Sequence, residues 1–306
     1  MCNFAAKNTK KMISKTRFAL FGNTYQAKKS AMVQKLLCLL EEYEAEVLID
    51  EEFHRYLTDE WKIAVPNSCQ LICGDDFEAD VAVSMGGDGT FLEAARRVGN
   101  KGIPILGLNM GRLGFLADVT AEDMATTLNS ILDGTCVIEE RSVLQLDYDR
   151  GKPAGYPFAL NEVAVLKQDV SSMISIRVDI NGEYLTTYQA DGLLVSTPTG
   201  STGYALSVGG PIMQPGCHTL GLTPVAPHSL TVRPIVLTDN AVVCLHVTSR
   251  NNRFLVSVDG RSETCTEDVS LCIRRAPYSI RVFKRPGSSF FSTLRTKLMW
   301  GTDPRE

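Results

Sequence analysis

Apolar positions follow two different rhythms along the chain. In its first part, short apolar runs alternate with stretches at helical spacing. Residues 17–22, Arg-Phe-Ala-Leu-Phe-Gly, predict a strand, and residues 28–46 predict a helix with Met32, Leu36, Leu39, Leu40 and Tyr43 on its apolar side. A second short strand covers 47–50. The run 80–85, Asp-Val-Ala-Val-Ser-Met, has the length and β-branched content of a buried strand and leads into a helix over 91–98. Another buried strand covers 103–108, and a further helix covers about 121–132. Such alternation predicts a parallel α/β sheet, whose ligands sit beyond the carboxyl ends of the strands.

Past residue 135 the period shortens to two. Residues 174–180 alternate strictly, and Asn181-Gly182 is a strong type I′ hairpin signal before Tyr184 and Leu185. Further strands are predicted over 142–148, 160–166, 193–195, 241–247, 254–258, 269–273 and 280–283. The chain is therefore expected to comprise a Rossmann-like α/β domain over 17–134, a β-rich, sandwich-like domain over 135–285 and a tail over 286–306. In that tail Phe290, Phe291, Leu294, Leu298 and Trp300 predict a short helix packing back on the first domain. Residues 1–16 read as a flexible extension.

Composition narrows the class. With 306 residues, 44% hydrophobic and 22% charged, the chain can bury about two cores, and neither disorder nor membrane spanning is favoured. A net charge of −4 and the lack of a polybasic face predict no nucleic-acid partner. Nine cysteines, an odd number with no C-x-x-C pair, argue against a complete disulfide framework and a four-ligand zinc site. Cys69 and Cys73 are read as buried or incidental thiols, and the reducing cytoplasm as the natural compartment. The N-terminal stretch is basic at Lys7, Lys10, Lys11, Lys15 and Arg17 but lacks the apolar core of a signal peptide.

Two glycine-rich signatures carry the chemistry. Met85-Gly86-Gly87-Asp88-Gly89-Thr90 lies at a strand-to-helix turn. Without Cβ atoms, Gly86, Gly87 and Gly89 can take positive φ and let backbone N–H groups approach a bound oxygen, and the helix N-terminus favours negative charge. Together with Thr90 they predict a phosphate site. Asp88 cannot be there to attract phosphate, because like charges repel; a metal ion or a substrate hydroxyl is its sensible partner. It is a candidate general base or indirect Mg²⁺ holder. The glycine-rich turn over 107–116 lacks the G-x-G-x-x-G spacing of a dinucleotide-binding unit, and the chain has no G-x-x-x-x-G-K-[ST] loop. The second signature, residues 191–204, contains a turn dense in hydroxyls and backbone donors.

These residues, with Asn161-Glu162, the continuation to Ile212, Pro227-His228-Ser229-Leu230, Arg233-Pro234 and Val258-Asp259-Gly260, resemble the NAD kinases in order and spacing. The glycine-aspartate motif alone is shared with diacylglycerol and sphingosine kinases and phosphofructokinases, and the second signature separates them. The resemblance implies transfer of the ATP γ-phosphoryl group, with Mg²⁺, to the 2′-hydroxyl of the adenosine ribose of NAD. It implies that Asp88 accepts the hydroxyl proton, that Gly89 lines the same pocket and that Asn161 and Glu162 contact the adenosine part. Asp191 matches the carboxylate near the nicotinamide carboxamide. Thr199, Thr202, Gly203, Tyr204 and Ser207, with Ala205 and Leu206 between them, match the wall holding adenine and ribose. Ser172, Gln189 and Ala226 match peripheral contacts. Asp259 and Arg261 lie in a segment that, in the family, reaches the site from a neighbouring subunit, which implies a homodimer or homotetramer.

Two positions depart from the family pattern. Gly203 stands where Ala is usual, and Arg261 where a neutral polar residue is common. His228 is expected to be a satisfied, buried imidazole rather than an acid-base group. The alternatives to an NAD kinase are a lipid kinase sharing the first signature, which would need an apolar substrate cleft, and a non-catalytic NAD(H) sensor.

Overall fold

The β-branched and aromatic runs of the first part become β1 (Arg17–Gly22), β2 (Glu46–Asp50), β3 (Gln70–Ile72), β4 (Val81–Gly86) and β5 (Ile105–Asn109), all parallel, in the order β5-β4-β1-β2-β3. The computed structural model describes residues 15–22, 30–111, 114–169 and 172–301; the expected start of the first helix at Lys28 and nearly all of the N-terminal extension lie outside them. The central strands are buried on both faces, which is why they read as continuous apolar runs rather than alternations. Phe18 and Leu20 of β1 pack on one side with Val33, Leu36 and Leu40 of α1 (Ser30–Glu42). Ala19 and Phe21 pack on the other side with Phe91, Ala94 and Val98 of α3 (Asp88–Val98). Each fully buried Phe or Leu contributes about 1.5–3 kcal/mol.

Helix α1 ends four residues earlier than its periodicity predicts, because Glu44 adopts positive φ (52°) and the chain turns into β2. The short α2 (Glu51–Arg55), β3 and the π-helical turn after α2 have too few periodic positions to be seen in the sequence. Helix α4 (Met124–Leu132) begins slightly later than expected.

The second part contains β6 (Ile138–Tyr148), β7 (Phe158–Ala159), β8 (Glu162–Lys167), β9 (Ile174–Ile180), β10 (Glu183–Ala190), β11 (Gly192–Ser196), α5 (Tyr204–Ser207), β12 (Thr219–Val225), β13 (Ile235–Thr238), β14 (Val243–Thr248), β15 (Arg253–Val258), β16 (Arg261–Thr266) and β17 (Leu271–Phe283). A six-stranded antiparallel sheet, β13-β12-β11-β8-β15-β16, packs against β10-β9-β14-β17 and β6. Ile176, Val178, Val243 and Leu245 from one layer meet Val163, Val165, Val195, Leu222 and Val256 from the other, the sandwich the period-two pattern predicts. The polar edge strand β16 and the Gly- and Pro-containing β12 lacked that pattern.

The two strands expected over 269–273 and 280–283 are one. Strand β17 pairs antiparallel with β6 along its length, interrupted between Arg275 and Ser279, where Pro277 removes a ladder donor. Its start pairs with β14 and its end runs parallel to β5, so one strand belongs to both halves of an eleven-stranded sheet. Cys244 and Cys272, opposite each other on β14 and β17 with Cα atoms 4.3 Å apart, form a disulfide. Strand register creates that pairing across 28 residues, which cysteine spacing does not reveal. Cys69 and Cys73 are free, half-buried and exposed. Helix α6 (Phe290–Leu298) forms the expected returning tail, with Leu294 buried and the Phe290 ring 6.4 Å from that of Phe115. Among the described residues no helix is long and apolar enough to cross a membrane.

Candidate active site

Strand β4, buried throughout, ends at Gly86, and α3 starts two residues later with Gly87 as its N-cap. Gly86, Gly87 and Gly89 all avoid the positive φ that their type suggested. Space is the reason for glycine here. A Cβ on Gly86 would overlap the Thr90 side chain, so Thr90 folds back over the turn. At Gly87 and Gly89 a Cβ would meet nothing within 4 Å, which leaves the backbone open to a close-approaching ligand beside the helix N-terminus.

Asp88 is held from outside its own turn. Its carboxylate accepts the backbone N–H groups of Phe115 (3.0 Å), Leu116 (3.0 Å) and Ala117 (3.1 Å), and Lys297 Nζ of α6 lies 3.4 Å from Oδ2. A Cβ on Gly114 would overlap Oδ1, so only glycine permits this approach. The cradle is part of the glycine-rich turn after β5, to which the sequence assigned no role. Arg112 and Leu113 of that turn lie outside the described residues.

A second polar corner forms where β8 begins. Asp259, at the tip of the β15–β16 hairpin, accepts the N–H groups of Leu160 (2.7 Å), Asn161 (2.8 Å) and Glu162 (3.1 Å) of its own chain. Burial pushes the Asp259 carboxyl up, opposed by those amides and by Arg261. Burial also pushes Glu162 up to about 7, and the Asp259 charge adds to the effect. Asn161 Oδ1 and Glu162 Oε2 are buried with no hydrogen-bond partner in the protein, the signature of groups awaiting one. A Cβ on Gly203 would lie 3.5 Å from both Asn161 Nδ2 and Glu162 Oε2, so Gly203 faces the same corner. Gly200 lets the two segments meet, since a Cβ there would overlap the Asn161 carbonyl.

The hydroxyls of the second signature largely hold the signature itself. Thr197 Oγ1 donates to Leu160 O (2.6 Å), Ser201 to Pro198 O (2.6 Å) and Thr202 to Thr199 O (3.1 Å). Ala205 is core, whereas Tyr204 and Ser207 are exposed and Leu206 is half-buried. Arg141, buried on β6 and not anticipated from the sequence, donates to Thr199 Oγ1 (3.3 Å) and Glu139 (3.4 Å) and feels the charges of Asp118 and Asp88. It ties the second signature electrostatically to the first. Asp118 is itself buried, its carboxyl raised by desolvation against the pull of Lys284 and Arg285.

Other candidates gather at the far end of β11. Asp191 pairs with Lys167 (2.7 Å), Gln189 Nε2 donates to Ser175 (2.8 Å), and Ala226 takes positive φ (45°) beside them; Ser172 is half-buried just before β9. Five steps of extended strand, about 17 Å, separate Asp191 from Ser196, which is paired with Glu162 at that corner. Arg261 donates to Phe158 O (3.3 Å). His228 is exposed rather than buried; its backbone N–H, not its ring, is spent, on Gln189 O (2.8 Å).

A parallel sheet whose glycine turn presents a fixed carboxylate, joined to a β-sandwich with unpartnered polar groups, defines a phosphoryl-transfer enzyme acting on a hydroxyl. The family models described as ATP-NAD kinase N-terminal domain and ATP-NAD kinase C-terminal domain match residues 18–136 and 160–284. An NAD kinase of Bacteroides fragilis is 58% identical over 289 residues, covering 94% of this chain and 99% of its own, and one from Porphyromonas gingivalis is 42% identical with the same coverage. The solved NAD kinase of Archaeoglobus fulgidus in complex with ATP superposes with a TM-score of 0.73 at 25% identity, over 93% of this chain and 99% of its own. Yeast NADH kinase complexed with NADH shares the fold, with a TM-score of 0.85 at 21% identity, over 94% of this chain and 89% of its own. The chain belongs to the NAD kinase family. The lipid-kinase and sensor alternatives find no support in these matches.

Proposed function

We propose that this ATP-dependent NAD kinase works through Asp88 as proton acceptor. The adenosine 2′-hydroxyl of NAD gives its proton to the carboxylate as its oxygen bonds to the γ-phosphorus. The bond from that phosphorus to the β–γ bridging oxygen breaks, releasing ADP and leaving NADP. Positioning and electrostatics carry most of such a transfer. The observation that carries the reading is the Asp88 carboxylate, fixed by three backbone N–H groups beside the open turn of Gly87 and Gly89.

The unpartnered oxygens of Asn161 and Glu162 support adenosine-ribose binding, since a carboxylate accepts hydroxyl donors readily. The exposed Tyr204 face suits the adenine. Mg²⁺ enters as the ATP complex, held mainly by phosphate oxygens and water; among the described residues no cluster of three or more His, Cys, Asp or Glu is assembled for it. Asp191, Gln189 and Ala226 serve the nicotinamide end of NAD, a reading supported by their place at the end of β11 opposite the Asn161–Glu162 corner, and the chains assemble as a homodimer or homotetramer. We place the enzyme in the cytoplasm.

The test is NADP formation from ATP, Mg²⁺ and NAD by wild type and Asp88→Asn. Loss of about 10²–10⁴-fold in kcat with the KM for NAD preserved supports the base. An Asp88→Asn enzyme at wild-type rate removes it.

A further inference from the structure

Neither glycine signature contains a Lys or Arg, and no P-loop lysine exists, yet a transferring phosphoryl group develops charge that must be met by a cation or aligned donors. The structure supplies one from the far end of the chain. Helix α6 is capped by reciprocal bonds between Ser289 and Ser292, and just upstream of it Arg285 pairs with Asp123 (3.1 Å) and Lys284 with Glu139 (3.5 Å). Phe290, Leu294 and Lys297 follow at i, i+4 and i+7, one face of the helix. Phe290 meets Phe115, Leu294 is buried, and Lys297 Nζ reaches both the Phe115 ring (4.4 Å from its centroid) and Asp88 Oδ2 (3.4 Å). The side chains of Lys297 and Asp88 remain 29% and 32% exposed, so the pair is partly open to solvent. Among the described residues, Arg141 also feels Asp88 but is buried and committed to Glu139 and Thr199.

We propose that Lys297 is a further residue of the phosphoryl-transfer site, paired with Asp88 in the unliganded enzyme and passing to the γ-phosphoryl oxygens when ATP and NAD are bound. This rests on the reading of Asp88 as the group at the reacting hydroxyl. A lysine suits the exchange because it is a point charge on a flexible stem. A helix 209 residues away in sequence thereby becomes part of the catalytic centre.

The experiment compares Lys297→Met, which keeps the stem over Phe115, with Lys297→Arg, Asp88→Asn and the Lys297→Met/Asp88→Asn double variant. It reads kcat, both KM values and thermal midpoint. Lys297→Met is expected to lose about 10²–10³-fold in kcat and to raise the KM for ATP, with the KM for NAD and the midpoint near wild type. Lys297→Arg recovers part of the loss, and the double variant is about as slow as Asp88→Asn alone, because the two residues act as a unit. Lys297→Met with kcat within about threefold of wild type overturns the proposal. So does a loss that lowers the midpoint and weakens both substrates alike, the mark of a helix anchor. A fully active Asp88→Asn beside a slow Lys297→Met would instead sink the reading of the base and leave the cation standing.

Discussion

Glu162 is a buried carboxyl whose Oε2 has no hydrogen-bond partner, which gives the candidate site a pH dependence of its own. Its pKa is raised to about 7 by burial and by Asp259, from an ordinary value near 4.5. Between those values the folded chain holds a proton that the unfolded chain has released. The associated stability is therefore complete below about pH 4.5 and is lost as pH rises through about 7. Glu162→Gln should flatten that slope in thermal-unfolding midpoints measured from pH 5 to 8. Hydrogen bonds from ribose hydroxyls favour the charged carboxylate. NAD binding should then release about half a proton per site at pH 7 and close to one nearer pH 6, and affinity should rise with pH up to about 7. Calorimetry in two buffers of different ionisation enthalpy measures this directly, and identical heats would show that NAD leaves Glu162 as it is.

At the scale of elements, the glycine turns do two different jobs, which alanine substitution separates. A Cβ at Gly114 overlaps the Asp88 carboxylate. Gly114→Ala should displace it by a fraction of an ångström or more and cost about a hundredfold in kcat. A Cβ at Gly87 meets nothing, and its φ of −104° is accessible to alanine. Gly87→Ala should therefore keep its thermal midpoint while raising the KM for ATP; an unchanged KM would mean that no phosphate approaches there. The strand-turn-helix that presents Asp88 was legible because its signals are local: a β-branched run, doubled glycine and a helical period within twenty residues. The cradle of Phe115, Leu116 and Ala117 was not, because nothing in that turn announces a carboxylate 27 to 29 residues earlier. Asp259 illustrates the same limit. The resemblance pointed to its importance, yet only the hairpin geometry shows it fastening the backbone of Asn161 and Glu162 within its own chain.

For the whole molecule, the consequence lies in how the candidate residues divide. Asp88 and the Asn161–Glu162 corner stand at one end of the architecture, tied together through Arg141 and Thr199, while Asp191 stands at the other end of β11 against Lys167. A site that needs both groups from different subunits is incomplete in a monomer, and closed symmetry makes every such site composite. Asp88→Asn and Asp191→Ala chains should each be impaired alone. Unfolded together, mixed in equal amounts and refolded, they form hybrids in which one site has lost both carboxylates and the other has lost neither. For a dimer, random assortment then restores about a quarter of wild-type activity. Recovery that appears only after co-refolding, with wild-type KM for NAD, would establish the shared site. Activity that stays at the sum of the two variants would mean that each NAD is bound by one chain, and that Asp191 acts within its own subunit.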